Sequence, residues 1–201
     1  MLVFPNAKIN VGLNIVAKRA DGYHNLETVF YPVMIKDVLE IIEARELTFT
    51  SSGLNIPGKM DGNICIKAYR LLSQDFKLPP VHIHLHKNIP IGAGLGGGSS
   101  DASFFLKLMD EKFNLKLSEG QMEKYASLLG ADCAFFIRNR PVFAFEKGDH
   151  FEEIELDLSQ YFIVLAMPDI HVSTSDAFQD IVPERSDKNL KELIRLDINE
   201  W

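Results

Sequence analysis

Cysteine is scarce in this sequence, and Cys65 and Cys133 are its only two. They are too few and too far apart to predict a disulfide framework or a zinc site, and their apolar neighbours predict buried packing. An excess of basic charge is also missing: the formal net charge is -7, which argues against a general nucleic-acid binder. Anionic small molecules stay possible, because a few lysines and helix N-termini can outweigh the global field locally. No apolar run approaches the ~18 residues a membrane span needs, so no membrane partner is expected. The opening MLVFPNAKIN lacks a basic stretch followed by an apolar core, so no signal peptide is expected and the protein is assigned to the cytoplasm. Internal repeats and low-complexity segments are absent too.

What remains is an ordinary globular composition, 46% hydrophobic and 24% charged over 201 residues, enough to bury a core. Ile9, Val11, Leu13 and Ile15 alternate with polar residues, the period of a half-buried strand. That alternation puts Lys8 and Asn10 on one face, with Gly12 leaving space beside them. Strands are expected at 28–34 and 38–44, and a helix over 63–76 with Ile64, Ala68, Leu71, Leu72 and Phe76 on its apolar stripe. After a strand at 81–86 and a glycine-rich segment, a helix begins near Ser99 and turns Ala102, Phe105, Leu108 and Met109 one way. Ser118 with Gln121 reads as a capping box for a further helix that stops at Gly130. Strands are expected at 133–137, 142–145 and 162–167, then helices near 176–181 and 187–196. Strands that come in adjacent pairs favour an α+β fold.

Gly92, Gly94, Gly96, Gly97 and Gly98 crowd the loop between a strand and a helix, followed by Ser99 and Ser100. Glycines let backbone N–H groups approach a ligand closely, and a helix N-terminus favours an anion such as phosphate. A tight turn needed only for packing is the alternative, though one or two glycines would serve it. A Walker loop requires a Lys after the glycines, and none follows. Gly92, Gly94 and Gly97 fit a dinucleotide fingerprint, but no acidic residue ends a second strand at the required distance.

The segment PIGAGLGGGSSDA closely resembles the ATP-phosphate motif of the GHMP kinase superfamily. AKINVGLNIVAKRADGYHNLETVF resembles the opening of the 4-diphosphocytidyl-2-C-methyl-D-erythritol kinases, and GADCAFF resembles a third motif of that family, with Ala134 where the family usually has Pro. The resemblance implies a two-domain α+β architecture whose N-terminal domain is like the second domain of ribosomal protein S5. It divides the chain into 1–158 and the start of an incomplete C-terminal domain at 159–201. It implies transfer of the ATP γ-phosphoryl to the 2-hydroxyl of a cytidylyl methylerythritol, with magnesium arriving on the nucleotide. Another GHMP small-molecule kinase, or a non-catalytic nucleotide-binding protein of this fold, is the alternative. A monomer or weak homodimer is expected.

Residue by residue, the resemblance assigns Lys8 and Asp132 to catalysis. Asp132 would accept the hydroxyl proton, and Lys8 would stabilise developing negative charge. The plain alternatives are a capping Asp and a solvated strand lysine. Pro90, Gly92, Gly94, Leu95, Gly96, Gly97, Gly98, Ser99 and Ser100 would hold ATP phosphates, joined by Lys87, with Asn63 near adenine. Asn10, Tyr23, His24, Thr174 and Phe178 would contact the cytidylyl substrate. No residue is assigned to a metal: His82, His84 and His86 share a strand face, but nothing nearby in sequence completes a coordination shell. The family carries a third glycine motif downstream, whereas the last glycine here is Gly148. The apolar set Leu190, Leu193, Ile194 and Ile198 also calls for a partner surface. The chain is therefore expected to be C-terminally truncated and low in activity.

Overall fold

The computed structural model describes residues 1–166, 181–183 and 189–201. The chain divides into two compact units, each discontinuous in sequence: 1–9 with 32–140, and 10–31 with 141–201. Two long strands, β2 (Asn6–Lys18) and β3 (His24–Lys36), each contribute to both units.

The first unit holds a four-stranded sheet in the order β1-β4-β6-β5, made by Leu2–Val3, Val38–Glu43, Val81–Lys87 and Thr48–Gly53. β4 runs antiparallel to β6, and β5 parallel to it. Alternation in β6 buries Val81, Ile83, Leu85 and Lys87 while His82, His84 and His86 take the other face. Helix α1 (Ile64–Asp75) starts where the Asn63 side chain accepts the Cys65 N–H. Its most buried face is Cys65, Ile66, Ala68, Tyr69 and Leu72, rotated from the expected stripe, so Ile64, Leu71 and Phe76 are only half-buried. Helix α2 (Gly97–Phe113) buries Ala102, Phe105, Leu108 and Met109 as expected, and Leu106 with them. Each such large apolar side chain contributes about 1.5–3 kcal/mol. The Ser118–Gln121 capping box opens α3 (Glu119–Leu129), which ends at Gly130.

The strand expected at 133–137 is instead helix α4, Cys133–Arg138. Cys133, Ala134, Phe135, Phe136 and Ile137 are all buried. A run buried on every side carries no period to separate helix from strand.

In the second unit, β7 (Val142–Glu146) pairs antiparallel with β3 and with β8 (His150–Glu153). Residues 162–166 form no strand, and Phe162 is fully exposed. The helix expected near 176–181 falls mostly outside the described residues. The later one is a short helix α5, Leu190–Leu193, capped by Asn189. Leu190 and Ile194 bury themselves against Val29 and Phe143, with Leu193 beside them, so part of that apolar set finds its partner within the chain. The space that Gly12 was expected to leave open is taken: a Cβ there would lie 2.6 Å from a Leu190 methyl.

Candidate active site

The chain leaves β6 at Lys87 and turns through Gly92, Gly94 and Gly96, whose φ angles of 73°, 72° and 68° lie in the left-handed region. Side chains resist those angles, so the glycine spacing is a backbone requirement. Gly97 then opens α2, whose first N–H groups and dipole face anions favourably. The loop, with Asn63, Leu85, Lys87 and Pro90, lines a cavity of about 440 Å³, within the range of small-molecule sites.

The glycines differ in what constrains them. A Cβ on Gly97 would meet Ile89 at 2.8 Å and the Lys87 ammonium at 3.0 Å, so Gly97→Val disrupts packing as well as ligand approach. A Cβ on Gly98 would meet nothing within 4 Å. Gly98→Ala, inside a helix, is therefore expected to leave the melting temperature unchanged or raise stability by up to ~1 kcal/mol. Nucleotide affinity should nevertheless fall, because the added methyl competes only with a ligand. Calorimetric ATP titration beside thermal melts checks this, and unchanged affinity would place the phosphates elsewhere.

Lys8 is tied to this loop through its backbone, its N–H donating to the Leu95 carbonyl at 2.9 Å. Its stem runs beside Gly96, where a Cβ would come within 3.1 Å of Lys8 Cγ. The buried ammonium lies 3.4 Å from Asp132 Oδ2. Asp132 is the N-cap residue of α4, yet its side chain makes no capping hydrogen bond and stays 33% exposed. The capping alternative thus loses its contact, as the solvated-lysine alternative loses its solvent. The Ser103 hydroxyl of α2 ties it to α4: it lies 2.7 Å from the Cys133 carbonyl and 2.9 Å from that of Ser99 in its own helix, which share its one proton, and this steadies Asp132 relative to the loop.

Lys87 is 3% exposed, and its ammonium is held by Asp37 Oδ2 at 2.5 Å and Asp101 Oδ2 at 2.7 Å. A phosphate contact from Lys87 would have to compete with both carboxylates. Removing one partner of such a buried group costs about 3–5 kcal/mol. Asp37 and Asp101 did not emerge from the sequence reading. The available signal was parity: Lys87 follows Val81, Ile83 and Leu85 on the inward face of β6, and a buried lysine needs a counter-charge.

Asn63 lines the cavity with its side-chain oxygen committed to the α1 cap. Ser99 is half-buried, whereas Ser100 is fully buried and its Oγ has no partner among the described residues. Leu95 is buried as well. Asn10, Tyr23 and His24 belong to the second unit. Asn10 donates to Thr28 Oγ1 at 3.0 Å, the exposed Tyr23 ring carries the Lys147 ammonium 4.9 Å from its centroid, and His24 begins β3. Thr174 and Phe178 lie outside the described residues. His82 and His84 each bridge two hydroxyls of β5, from Thr48, Thr50 and Ser52, and His86 meets Ser52.

A model of the GHMP kinases N terminal domain matches residues 63–140. Over the whole chain, 4-diphosphocytidyl-2-C-methyl-D-erythritol kinases from Bacteroides fragilis and Cytophaga hutchinsonii are 55% and 52% identical. The chain spans 75% of the length of each. A crystal structure of 4-(cytidine 5'-diphospho)-2C-methyl-D-erythritol kinase superposes with a TM-score of 0.69 at 31% identity, covering 78% of this chain and 56% of that one. The mevalonate kinase of Methanococcus jannaschii, at TM-score 0.57 and 16% identity over 77% of this chain and 56% of its own, shares the fold.

Proposed function

This chain belongs to the 4-diphosphocytidyl-2-C-methyl-D-erythritol kinases of the GHMP superfamily, and from that premise we propose that it phosphorylates the 2-hydroxyl of 4-diphosphocytidyl-2-C-methyl-D-erythritol with ATP. The observation that carries the proposal is the Lys8–Asp132 pair, 3.4 Å apart, fastened beside a glycine loop that opens a long helix.

The loop N–H groups and the N-terminus of α2 would hold the phosphates, and magnesium would come with the nucleotide as part of the substrate and neutralise phosphate charge. The acceptor hydroxyl oxygen forms its bond to the γ-phosphorus while the bond to the β–γ bridging oxygen breaks, and ADP leaves with that electron pair. Asp132 takes the hydroxyl proton. A carboxylate is a weak base, so the proton moves late, once oxygen–phosphorus bonding has made it acidic. The Lys8 ammonium stabilises negative charge at the reacting oxygen. Asn63 would offer its NH2 group to adenine, since its oxygen caps α1. Asn10, Tyr23, His24, Thr174 and Phe178 remain the assigned contacts for the cytidylyl acceptor, on resemblance alone.

A coupled assay of ADP release tests the reading. ADP release that depends on the cytidylyl substrate, and is not supported by mevalonate or homoserine, is the expected result. ADP release with one of those alcohols instead would make the chain another GHMP kinase. Nucleotide binding with no ADP release under any condition would make it a binding protein.

A further inference from the structure

Resting on the proposed nucleotide site, we propose that Asp37, Lys87 and Asp101 are positioning residues that clamp the two ends of the glycine loop together and so set nucleotide affinity. Lys87 acts in this clamp through its carboxylates, not as a phosphate ligand.

The loop enters from the end of β6 and leaves into α2, and the cluster grips both stems. Asp37, at the junction of β3 and β4, accepts the backbone N–H groups of Asn88 at 2.6 Å and Ile89 at 2.8 Å through Oδ1. Its Oδ2 takes the Lys87 ammonium at 2.5 Å. One carboxylate thus fixes three consecutive residues on the incoming side. The same ammonium reaches Asp101 one turn into α2, at 2.7 Å, which fixes the outgoing side. Between the stems lies Gly97, where a Cβ would come within 3.0 Å of Lys87 Nζ. The ammonium therefore sits directly beneath the first residue of α2.

All three side chains are buried, with side-chain exposures of 4%, 0% and 2% for Lys87, Asp37 and Asp101. Burying an ion cluster is costly and is a weak source of stability by itself. The phosphoryl-transfer roles given to Lys8 and Asp132 leave it unused. Pre-ordering the loop accounts for it: a loop held at both ends presents its N–H groups without the ligand bearing the ordering cost.

The cluster also has a chemical signature. Two carboxylates share one ammonium, so its net charge depends on one proton. Burial pushes the Asp101 carboxyl up, the Lys87 charge opposes this and the like charge of Asp37 adds to it, giving a value of about 8. Besides Lys87 from β6 and Asp37, the titratable group facing it among the described residues is the Cys65 thiol of α1, itself raised chiefly by burial. With Asp101 protonated the cluster is neutral. Above about 8 it carries one negative charge beneath the phosphate site, and nucleotide affinity falls.

The test titrates ATP calorimetrically into the 201-residue chain across this pH range, for wild type, Asp101→Asn and Lys87→Met, with melting temperatures alongside. Wild-type affinity is expected to fall by about 3–10-fold as Asp101 ionises, and Asp101→Asn, isosteric and uncharged, to lack that fall. Lys87→Met should weaken ATP binding by ~10-fold or more, equal to about 1.4 kcal/mol, while affinity for the cytidylyl substrate holds. Should Lys87→Met not fold, Asp37→Asn, which removes the charge that holds Lys87, Asn88 and Ile89, takes its place with the same expected loss. A folded Lys87→Met or Asp37→Asn chain that binds ATP as tightly as wild type would overturn the clamp. A wild-type chain that binds no nucleotide would overturn the functional proposal, and this inference with it.

Discussion

Asp132→Asn is expected to lower turnover by about 10²–10⁴-fold, the usual contribution of a positioned general base, with ATP affinity nearly unchanged. Asn has the shape of Asp but cannot take the hydroxyl proton. The substitution removes no helix cap, because the Asp132 side chain makes no capping hydrogen bond. It also leaves the glycine loop alone, since the loop is held by the Lys8 N–H at Leu95 and by Lys87 with its carboxylates. Steady-state turnover and a separate ATP titration give the two numbers. Turnover within a few-fold of wild type would remove Asp132 from the mechanism. Loss of ATP binding in step with turnover would make it a structural residue of the loop.

Lys8→Met carries the second large effect, a fall in turnover of about 10²–10³-fold, comparable with loss of one charge-stabilising donor at a reacting oxygen. Met keeps the apolar stem that runs beside Gly96, and the buried position suits it, so the melting temperature should not fall. The backbone bond to Leu95 is also kept. Turnover should therefore drop with little change in the KM for ATP, the pattern of an interaction made mainly in the transition state. A variant that kept its turnover while its KM rose would instead make Lys8 a ground-state phosphate ligand.

Part of the cavity lining was legible in the sequence. The glycine loop could be read because left-handed angles at Gly92, Gly94 and Gly96 demand glycine locally. The Ser118–Gln121 box and the buried stripe of α2 are likewise set by near neighbours in the chain. Lys8 and Asp132 were assigned by resemblance, and their spacing gave no hint of a pair 3.4 Å apart. The cluster around Lys87 was not read. Asp37 is 50 residues from Lys87 in sequence, and nothing near either marks the other as a partner. The role of α4 was missed for the opposite reason: Cys133–Ile137 is apolar throughout, which erases the periodicity on which a strand or helix reading depends.

The sequence by itself determined the loop, the helix starts that carry their own caps, the alternation of β6 and, through its motifs, the family. These depend on φ angles and on contacts within one or two turns of chain, so a residue and its neighbours suffice to specify them. The tertiary structure alone decided that residues 133–138 coil rather than extend, that Leu190 fills the space at Gly12, and that the compact units interleave along the chain. It alone decided as well that a lysine on an inward face meets two carboxylates. Each of these is settled by which distant surfaces pack together, where a buried charge must find its partner and a missing side chain admits another residue.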